Sequence, residues 1–115
     1  MTEQFDIVIV GGGLVGASMA LALANSRYSV ALLEGRAPAP LPQDESWDAR
    51  VYAISPGNKQ FLRDIGAWQR MPPKRLAAVH EMSIHGDRKG HGLQFSAADV
   101  GGHELTTILE NRLLQ

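Results

Sequence analysis

Three glycines near the start of the chain have the spacing of a loop that binds phosphate groups. Gly11, Gly13 and Gly16 follow the apolar run at residues 7–10 and form the pattern Gly-x-Gly-x-x-Gly. In such a loop the first glycine permits a sharp turn, the second leaves room for a pyrophosphate, and the third lets a helix lie close to the strand. The free N–H groups at the start of that helix favour bound phosphate. The pattern therefore predicts a dinucleotide phosphate loop.

A carboxylate after the next apolar run extends this interpretation. Glu34 directly follows residues 30–33, close to the spacing of about 20 residues at which an acidic side chain binds a ribose. Its carboxylate can accept hydrogen bonds from a ribose 2′-hydroxyl, but it would repel a 2′-phosphate. The residues thus predict an unphosphorylated adenosine dinucleotide, FAD or NAD, rather than NADP.

The elements that must position these residues are a strand, a helix and a second strand. The predicted strands are residues 7–10 and 30–33, and the helix between them runs from Leu14 to about Asn25. This order is typical of a parallel βαβ unit. The chain carries only two convincing parallel strands, so the doubly wound sheet is incomplete.

The rest of the chain is predicted to add a helix, a hairpin and a last helix. A proline-rich loop follows Glu34, and Ser55-Pro56 is typical of a helix start, with Gly66 as the residue that ends that helix. The remaining predictions are strands at Val79 to His85 and Leu93 to Ala97, joined by a glycine-rich turn, and a helix from about Glu104 to Gln115. By length, residues 1–115 form one domain.

A membrane segment is the alternative interpretation of residues 7–24, which contain no charged side chain. The preceding residues include Glu3 and Asp6 and no Lys or Arg, the opposite of the positive flank of a secretory signal. Nothing in a membrane interpretation accounts for the strand at residues 30–33. The dinucleotide interpretation is therefore preferred.

Composition narrows the class of function. The net charge of −1 gives no excess of positive charge of the kind that binds nucleic acid. The absence of cysteine excludes disulfides and thiolate metal sites. His80 and His85 lie five residues apart, which places them on different faces of a helix or a strand, so no metal site is predicted. The residues define no catalytic nucleophile, and the catalytic residues stay unassigned.

Several motifs together resemble one branch of the flavoprotein hydroxylases. They are the glycine loop, Glu34-x-Arg36, Asp48-x-Arg50-x-x-Ala53-x-Ser55, Gly66-Ala67-Trp68 and Glu110-Asn111-x-x-Leu114. The chain is similar over essentially its whole length to the ubiquinone-biosynthesis branch of the FAD-dependent aromatic hydroxylases, within the para-hydroxybenzoate-hydroxylase-type monooxygenases. The resemblance implies an α/β fold: a Rossmann-like FAD-binding βαβ unit in an incomplete doubly wound domain, with a β-hairpin from the substrate-side sheet.

The resemblance also implies roles for further residues toward FAD. Glu34 would hold the adenosine ribose, Arg36 would lie near the adenine end, and Arg50 would reach the pyrophosphate. Asn111, at the start of the last helix, would approach the phosphate or ribityl part. The alternatives are a surface ion pair between Arg50 and Asp48, and a solvent-facing helix position for Asn111.

The activity implied by the resemblance is hydroxylation of a prenylated phenol or quinol with O₂, with FAD as the cofactor and NAD(P)H as the electron donor. A cytoplasmic location is expected, and association with the inner membrane or with a biosynthetic complex is left open. There are two alternative functions: another FAD- or NAD-dependent oxidoreductase, or a non-catalytic dinucleotide-binding module.

Two departures from the family pattern lead to further expectations. Arg27 stands where the family usually has glycine at the end of the first helix, so a left-handed backbone there would be strained. Family members are also considerably longer, so residues 1–115 are expected to be the N-terminal part of a FAD-binding domain. Uncovered apolar surface is then expected to make the chain self-associate.

Overall fold

A computed structural model describes residues 2–115. The chain forms two compact units, residues 2–46 with Arg112–Gln115, and Trp47–Asn111. In chain order the strands and helices are β1 (Ile7–Val10), α1 (Leu14–Leu23), β2 (Val30–Leu33), β3 (Val51–Ile54), α2 (Pro56–Asp64), β4 (Ala77–Val79), β5 (Glu81–His85), β6 (Gly92–Ser96) and β7 (Thr106–Glu110).

The first unit is the predicted βαβ arrangement. β1 and β2 pair in parallel, with Ile7 opposite Val30 and Val10 opposite Leu33. β1 consists only of isoleucine and valine, β-branched residues that favour extended backbone, and β2 is the apolar run Val30–Leu33. The α/β fold with a Rossmann-like unit is confirmed, although α1 ends about two residues before the expected Asn25.

Arg27 does not have the left-handed backbone that would make a non-glycine residue strained at the end of the first helix. No residue other than glycine has a positive φ between residues 2 and 115. The end of α1 is closed instead by right-handed turns, in which Ala24 N–H donates to the Leu21 carbonyl and Ser26 N–H to the Leu23 carbonyl. A glycine is therefore not required at position 27, because the backbone of Arg27 is not left-handed.

The second unit contains an antiparallel sheet in the order β3–β7–β4. β7 is its central strand, with Val51 opposite Glu110 on one side and Val79 opposite Thr106 on the other. Most of β7 is buried, including Leu109, which is 1% exposed. The core of this unit therefore lies around its last strand.

Helix α2 begins and ends as the sequence predicts. The Ser55 side chain accepts a hydrogen bond from Asn58 N–H, with proline in the first turn. At the other end Gly66 has φ +77°, and the N–H groups of Gly66 and Ala67 donate to the carbonyls of Arg63 and Leu62. This is the Schellman pattern, which requires the positive φ that glycine adopts without strain.

The predicted hairpin is formed by β5 and β6. Strand β4 is separate and ends at Val79, so the expected strand at residues 79–85 is divided at His80. Met82 lies opposite Phe95 and Ile84 opposite Leu93. Since alternate residues share a face, these four apolar side chains lie on one face, and Ser83 and Gln94 lie on the other.

The predicted last helix is wrong. Residues 106–110 form strand β7, and a short 3₁₀ turn follows at Asn111–Leu113. Thr106, Thr107 and Ile108 are β-branched, which lowers their preference for helix, and β3 and β4 supply hydrogen-bonding partners on both sides. Asn111 consequently follows a strand rather than opening a helix.

In the part of the chain that the structure describes, no helix has the length and apolar character needed to cross a membrane. The alternative interpretation as a membrane segment concerned residues 7–24. These residues form β1, the glycine loop and the ten-residue helix α1. Among residues 2–115, no three His, Asp or Glu side chains are grouped so that they could hold a metal ion.

Candidate functional site

The glycine loop turns sharply between β1 and α1. Gly11 has φ +102°, and its N–H donates to the Leu33 carbonyl at 2.8 Å. A Cβ atom at Gly16 would lie 1.8 Å from the Gly11 carbonyl oxygen. No side chain fits there, so Gly16 is needed for the close approach between α1 and the loop.

Gly13 has open space where a side chain would be. A Cβ atom built on it meets nothing within 4 Å, and its backbone is extended, with φ −70°. Gly13 is also the N-cap of α1, which has no side-chain cap and no acidic residue in its first turn. The positive end of the helix dipole is therefore available to an anion.

Glu34 lies directly against this loop. Its Oε2 accepts a hydrogen bond from Gly12 N–H at 2.6 Å, and its Oε1 accepts one from Arg36 N–H at 2.9 Å. These hydrogen bonds hold the pKa of the Glu34 carboxyl below its ordinary value. The bond from Arg36 N–H has the larger effect, and the bond from Gly12 N–H the smaller. The carboxylate is thus ionised near neutral pH and lies at the carboxyl end of β2, where a ribose is bound in dinucleotide folds.

Arg36 contributes its backbone rather than its side chain to this arrangement. Its N–H donates to Glu34, while the side chain is exposed. Within residues 2–115 no acceptor or carboxylate pairs with the Arg36 guanidinium. The cation therefore remains available to a ligand.

Arg50 precedes β3 in the second unit. Its N–H donates to Asp48 Oδ1 at 2.9 Å, but the expected alternative, a side-chain ion pair between the two residues, is absent from residues 2–115. The guanidinium carbon lies 5.9 Å from the centre of the Tyr52 ring. Asp48 thus shapes the backbone of Arg50 and leaves its charge unpaired.

Asn111 is joined to Arg50 through the backbone. Asn111 N–H donates to the Arg50 carbonyl at 2.8 Å, which continues the pairing of β3 with β7. The residue is 9% exposed, so the solvent-facing alternative is wrong. Its side-chain amide forms no hydrogen bond with the part of the chain that the structure describes. The structure brings Arg50 and Asn111 together, two residues that are far apart in sequence.

One charged pair beside Arg50 and Asn111 was not found from the sequence. Glu110 is 2% exposed and forms an ion pair with Arg75, whose Nη1 lies 2.8 Å from its Oε2. The signal in the sequence is a carboxylate that ends the run Thr106–Leu109. Its partner could not be named, because Arg75 lies 35 residues away.

The candidate residues thus form two groups. Gly11, Gly13, Gly16, Glu34 and Arg36 belong to the first unit, and Arg50 and Asn111 belong to the second. The first group has the donors and the carboxylate that a pyrophosphate and a ribose require, and the second has an unpaired cation beside an unbonded amide.

The family model described as "FAD dependent oxidoreductase" matches residues 6–82. The chain belongs to the FAD-dependent oxidoreductases. The cofactor of this family is FAD, and the residues present fit it: the space at Gly13 can admit a phosphate, and Glu34 has the position and the charge to accept ribose hydroxyls.

Curated relatives agree with the resemblance to ubiquinone-biosynthesis hydroxylases. The chain is 34% identical over 116 residues to 3-demethoxyubiquinol 3-hydroxylase of Escherichia coli strain K12, an alignment that covers 100% of this chain and 29% of that protein. It is 35% identical to the mitochondrial ubiquinone biosynthesis monooxygenase COQ6 of Drosophila melanogaster, covering 98% of this chain and 24% of the relative. The chain therefore spans less than a third of the length of either relative.

A solved structure has the same fold over most of the chain. Klebsiella pneumoniae HpxO, determined with FAD and uric acid, matches with a TM-score of 0.59 and 18% identity, covering 94% of this chain and 26% of that one. At this identity the match is evidence for the fold alone.

Proposed function

We propose that this chain carries the adenosine-side FAD site of an aromatic-ring monooxygenase that acts on a prenylated phenol or quinol. The observation that carries the proposal is the contact between Glu34 and the glycine loop, with open space beside it at Gly13. The substrate class is proposed from the names of two relatives, a 3-demethoxyubiquinol 3-hydroxylase and a ubiquinone biosynthesis monooxygenase.

The first unit would hold the adenosine half of the cofactor. The pyrophosphate would lie over Gly13 and accept hydrogen bonds from N–H groups at the start of α1. Glu34 would accept hydrogen bonds from the ribose hydroxyls with the lone pairs that its two backbone contacts leave free. The exposed Arg36 would lie near the adenine end.

The second unit would contribute a cation and an amide. Arg50 would offset phosphate charge, since guanidinium binds phosphate oxygens through directed, charge-assisted hydrogen bonds. Asn111 would use its unbonded amide toward the phosphate or ribityl part. In this proposal, the part of these residues in the reaction is to bind and orient the cofactor.

When bound and reduced, FAD supplies the electrons with which O₂ is split, so that one oxygen atom enters the aromatic ring and the other leaves as water. NAD(P)H is proposed as the electron donor. Residues 1–115 are proposed to be the N-terminal part of a larger FAD-binding domain, and contact with a membrane surface or a biosynthetic complex is proposed from the apolar substrate class.

The experiment begins with the protein at its complete natural length. We expect flavin absorbance bands in the purified protein, NAD(P)H oxidation that a prenylated phenol stimulates, and a product heavier by one oxygen atom by mass spectrometry. Labelled ¹⁸O₂ should deliver one labelled atom to that product.

Three results would contradict the proposal in different ways. A colourless protein that takes up no FAD would point to a module for another dinucleotide. A flavoprotein that oxidises NAD(P)H and gives no oxygenated ring would be another kind of oxidoreductase. Label from H₂¹⁸O in the new hydroxyl group would exclude a monooxygenase.

A further inference from the structure

The partly buried ion pair Arg75–Glu110 lies at the end of the strand that leads to Asn111. The Glu110 side chain is 2% exposed, and that of Arg75 is 14% exposed. The Arg75 guanidinium also stacks on Trp47, with its carbon 4.1 Å from the ring centre. Arg75 thus links β7 to the chain that precedes β3.

The second oxygen of Glu110 contacts the same stretch of chain. Glu110 Oε1 accepts a hydrogen bond from Asp48 N–H at 2.6 Å. The Asp48 side chain in turn accepts the Arg50 N–H at 2.9 Å. The Arg50 carbonyl then accepts the Asn111 N–H at 2.8 Å. These bonds form a continuous ring, which we call the 48–111 ring: Glu110 to Asp48, Asp48 to Arg50, Arg50 to Asn111, and back along the backbone to Glu110.

Burying two charges costs desolvation free energy, and an apolar pair of similar volume often gives equal or greater stability. Stability alone therefore does not require charges here. A carboxylate at this position has a property that an apolar residue lacks, because it can bind Arg75 with one oxygen and a backbone N–H with the other.

We propose that Glu110, held by Arg75, is a positioning residue that fixes residues 48–50 against Asn111, so that the Arg50 guanidinium and the Asn111 amide meet FAD in one arrangement. The proposal rests on the proposed function, since it requires Arg50 and Asn111 to contact the cofactor. Preorganisation of this kind lowers the entropy lost on binding.

The test uses variants that separate the charge from the hydrogen bond. Glu110→Leu removes both contacts. Arg75→Met combined with Glu110→Gln removes the charges but retains an amide oxygen for Asp48 N–H, and methionine can still pack on Trp47. Asp48→Ala breaks the 48–111 ring without leaving a buried charge unpaired, so it remains informative if Glu110→Leu fails to fold.

Two quantities are measured on the protein at its complete natural length. One is the FAD dissociation constant, from flavin fluorescence. The other is the hydrogen-exchange rate of the Arg50 and Asn111 amides without FAD. We expect Glu110→Leu and Asp48→Ala to weaken FAD binding by about five- to ten-fold, the equivalent of one hydrogen bond, and to accelerate exchange at Arg50. The double variant keeps the hydrogen bond to Asp48 N–H but loses the hold of Arg75, so both of its values should lie between those of the native protein and those of Glu110→Leu.

The control is Glu104→Gln, which breaks a second ion pair of this unit, Lys59–Glu104. It should lower the free energy of unfolding and leave the FAD dissociation constant unchanged, as expected of a purely structural pair. Native exchange and native affinity in Asp48→Ala, or equal losses in the double variant and Glu110→Leu, would overturn the proposal.

Separate variants test the underlying cofactor contacts. Arg50→Gln and Asn111→Ala should each weaken FAD binding. If neither does, the cofactor site is assigned wrongly, and the positioning role of Glu110 fails with it. If both variants weaken FAD binding while Glu110→Leu binds FAD with native affinity, only the positioning role of Glu110 is wrong.

Discussion

At the scale of single residues, the glycines of the phosphate loop are not interchangeable. The space beside Gly13 is open, whereas a Cβ atom at Gly16 would overlap the Gly11 carbonyl oxygen. The same substitution should therefore affect cofactor binding at one position and folding at the other.

Gly13→Val should leave the fold intact and abolish FAD retention, because the valine side chain fills the space proposed for the pyrophosphate. Gly16→Ala should instead destabilise the protein by about 2 kcal/mol or more, since backbone must shift to admit the methyl group. Flavin content and urea denaturation separate the two effects. A folded Gly13→Val protein with stoichiometric flavin would show that this loop does not bind the cofactor.

Glu34→Gln should weaken FAD binding by roughly ten-fold, because a neutral acceptor replaces a charged one. The pKa of Glu34 is lowered by the N–H groups of Arg36 and Gly12. The contribution of Glu34 to FAD binding should therefore be complete above pH 4.5, which is the ordinary pKa of this carboxyl group. It should disappear as the pH falls through the lowered pKa of the folded protein. Flavin titration across this range tests both points, with the exposed Glu3→Gln as the control. Equal affinity of Glu34→Gln and the native protein at pH 7 would remove Glu34 from the ribose site.

At the scale of elements, α2 is joined to the chain before β7 by Lys59 and Glu104. The two side chains form an ion pair, and Lys59 also lies 5.1 Å from the centre of the Trp68 ring. The hydrogen bond from Lys59 is the largest influence that holds the pKa of the Glu104 carboxyl below its ordinary value.

Because the folded pKa of Glu104 lies below the unfolded one, its stabilisation is complete above pH 4.5 and is lost as the pH falls through the folded pKa. Glu104→Gln should lower the free energy of unfolding by about 1–2 kcal/mol at pH 7. In this variant the free energy of unfolding should also fall less steeply than in the native protein as the pH is lowered. Urea denaturation from neutral pH to about pH 3 measures this. The exposed hairpin variant Glu81→Gln should behave like the native protein, and an unchanged acid profile in Glu104→Gln would contradict the assignment.

At the scale of the whole chain, much apolar surface is uncovered. No described residue of the first unit up to residue 46 is buried, and Val10 and Val15 are 83% and 86% exposed. The apolar face of the hairpin, formed by Met82, Ile84, Leu93 and Phe95, is also exposed. Contiguous apolar surface of this kind favours association.

We expect the 115-residue chain to form dimers or larger assemblies and to bind FAD poorly. Ile84→Lys with Leu93→Lys, a directly opposed pair on the apolar face, should lower the average mass in sedimentation. Ser83→Lys with Gln94→Lys adds the same charge on the polar face of the same hairpin and should not. A monomer that binds FAD tightly would identify a self-sufficient nucleotide-binding module.

The sequence by itself determined the elements whose signals are local. The β1–α1–β2 unit, the Ser55 cap, the Gly66 helix end and the hairpin follow from patterns within a few residues, because caps, turns and strand alternation depend on near neighbours. The conformations of Gly11 and Gly16 were predictable for the same reason.

Only the tertiary structure decided the features that depend on distant partners. The segment at residues 106–110 is a strand because β3 and β4 pair with it, which outweighs any local preference for helix. That pairing brings Asn111 to Arg50 and Glu110 to Arg75. Within residues 2–115 Arg50 also forms no side-chain ion pair with Asp48, which was the alternative that local sequence offered. Local sequence cannot specify these contacts, since each depends on the antiparallel register between segments far apart in the chain.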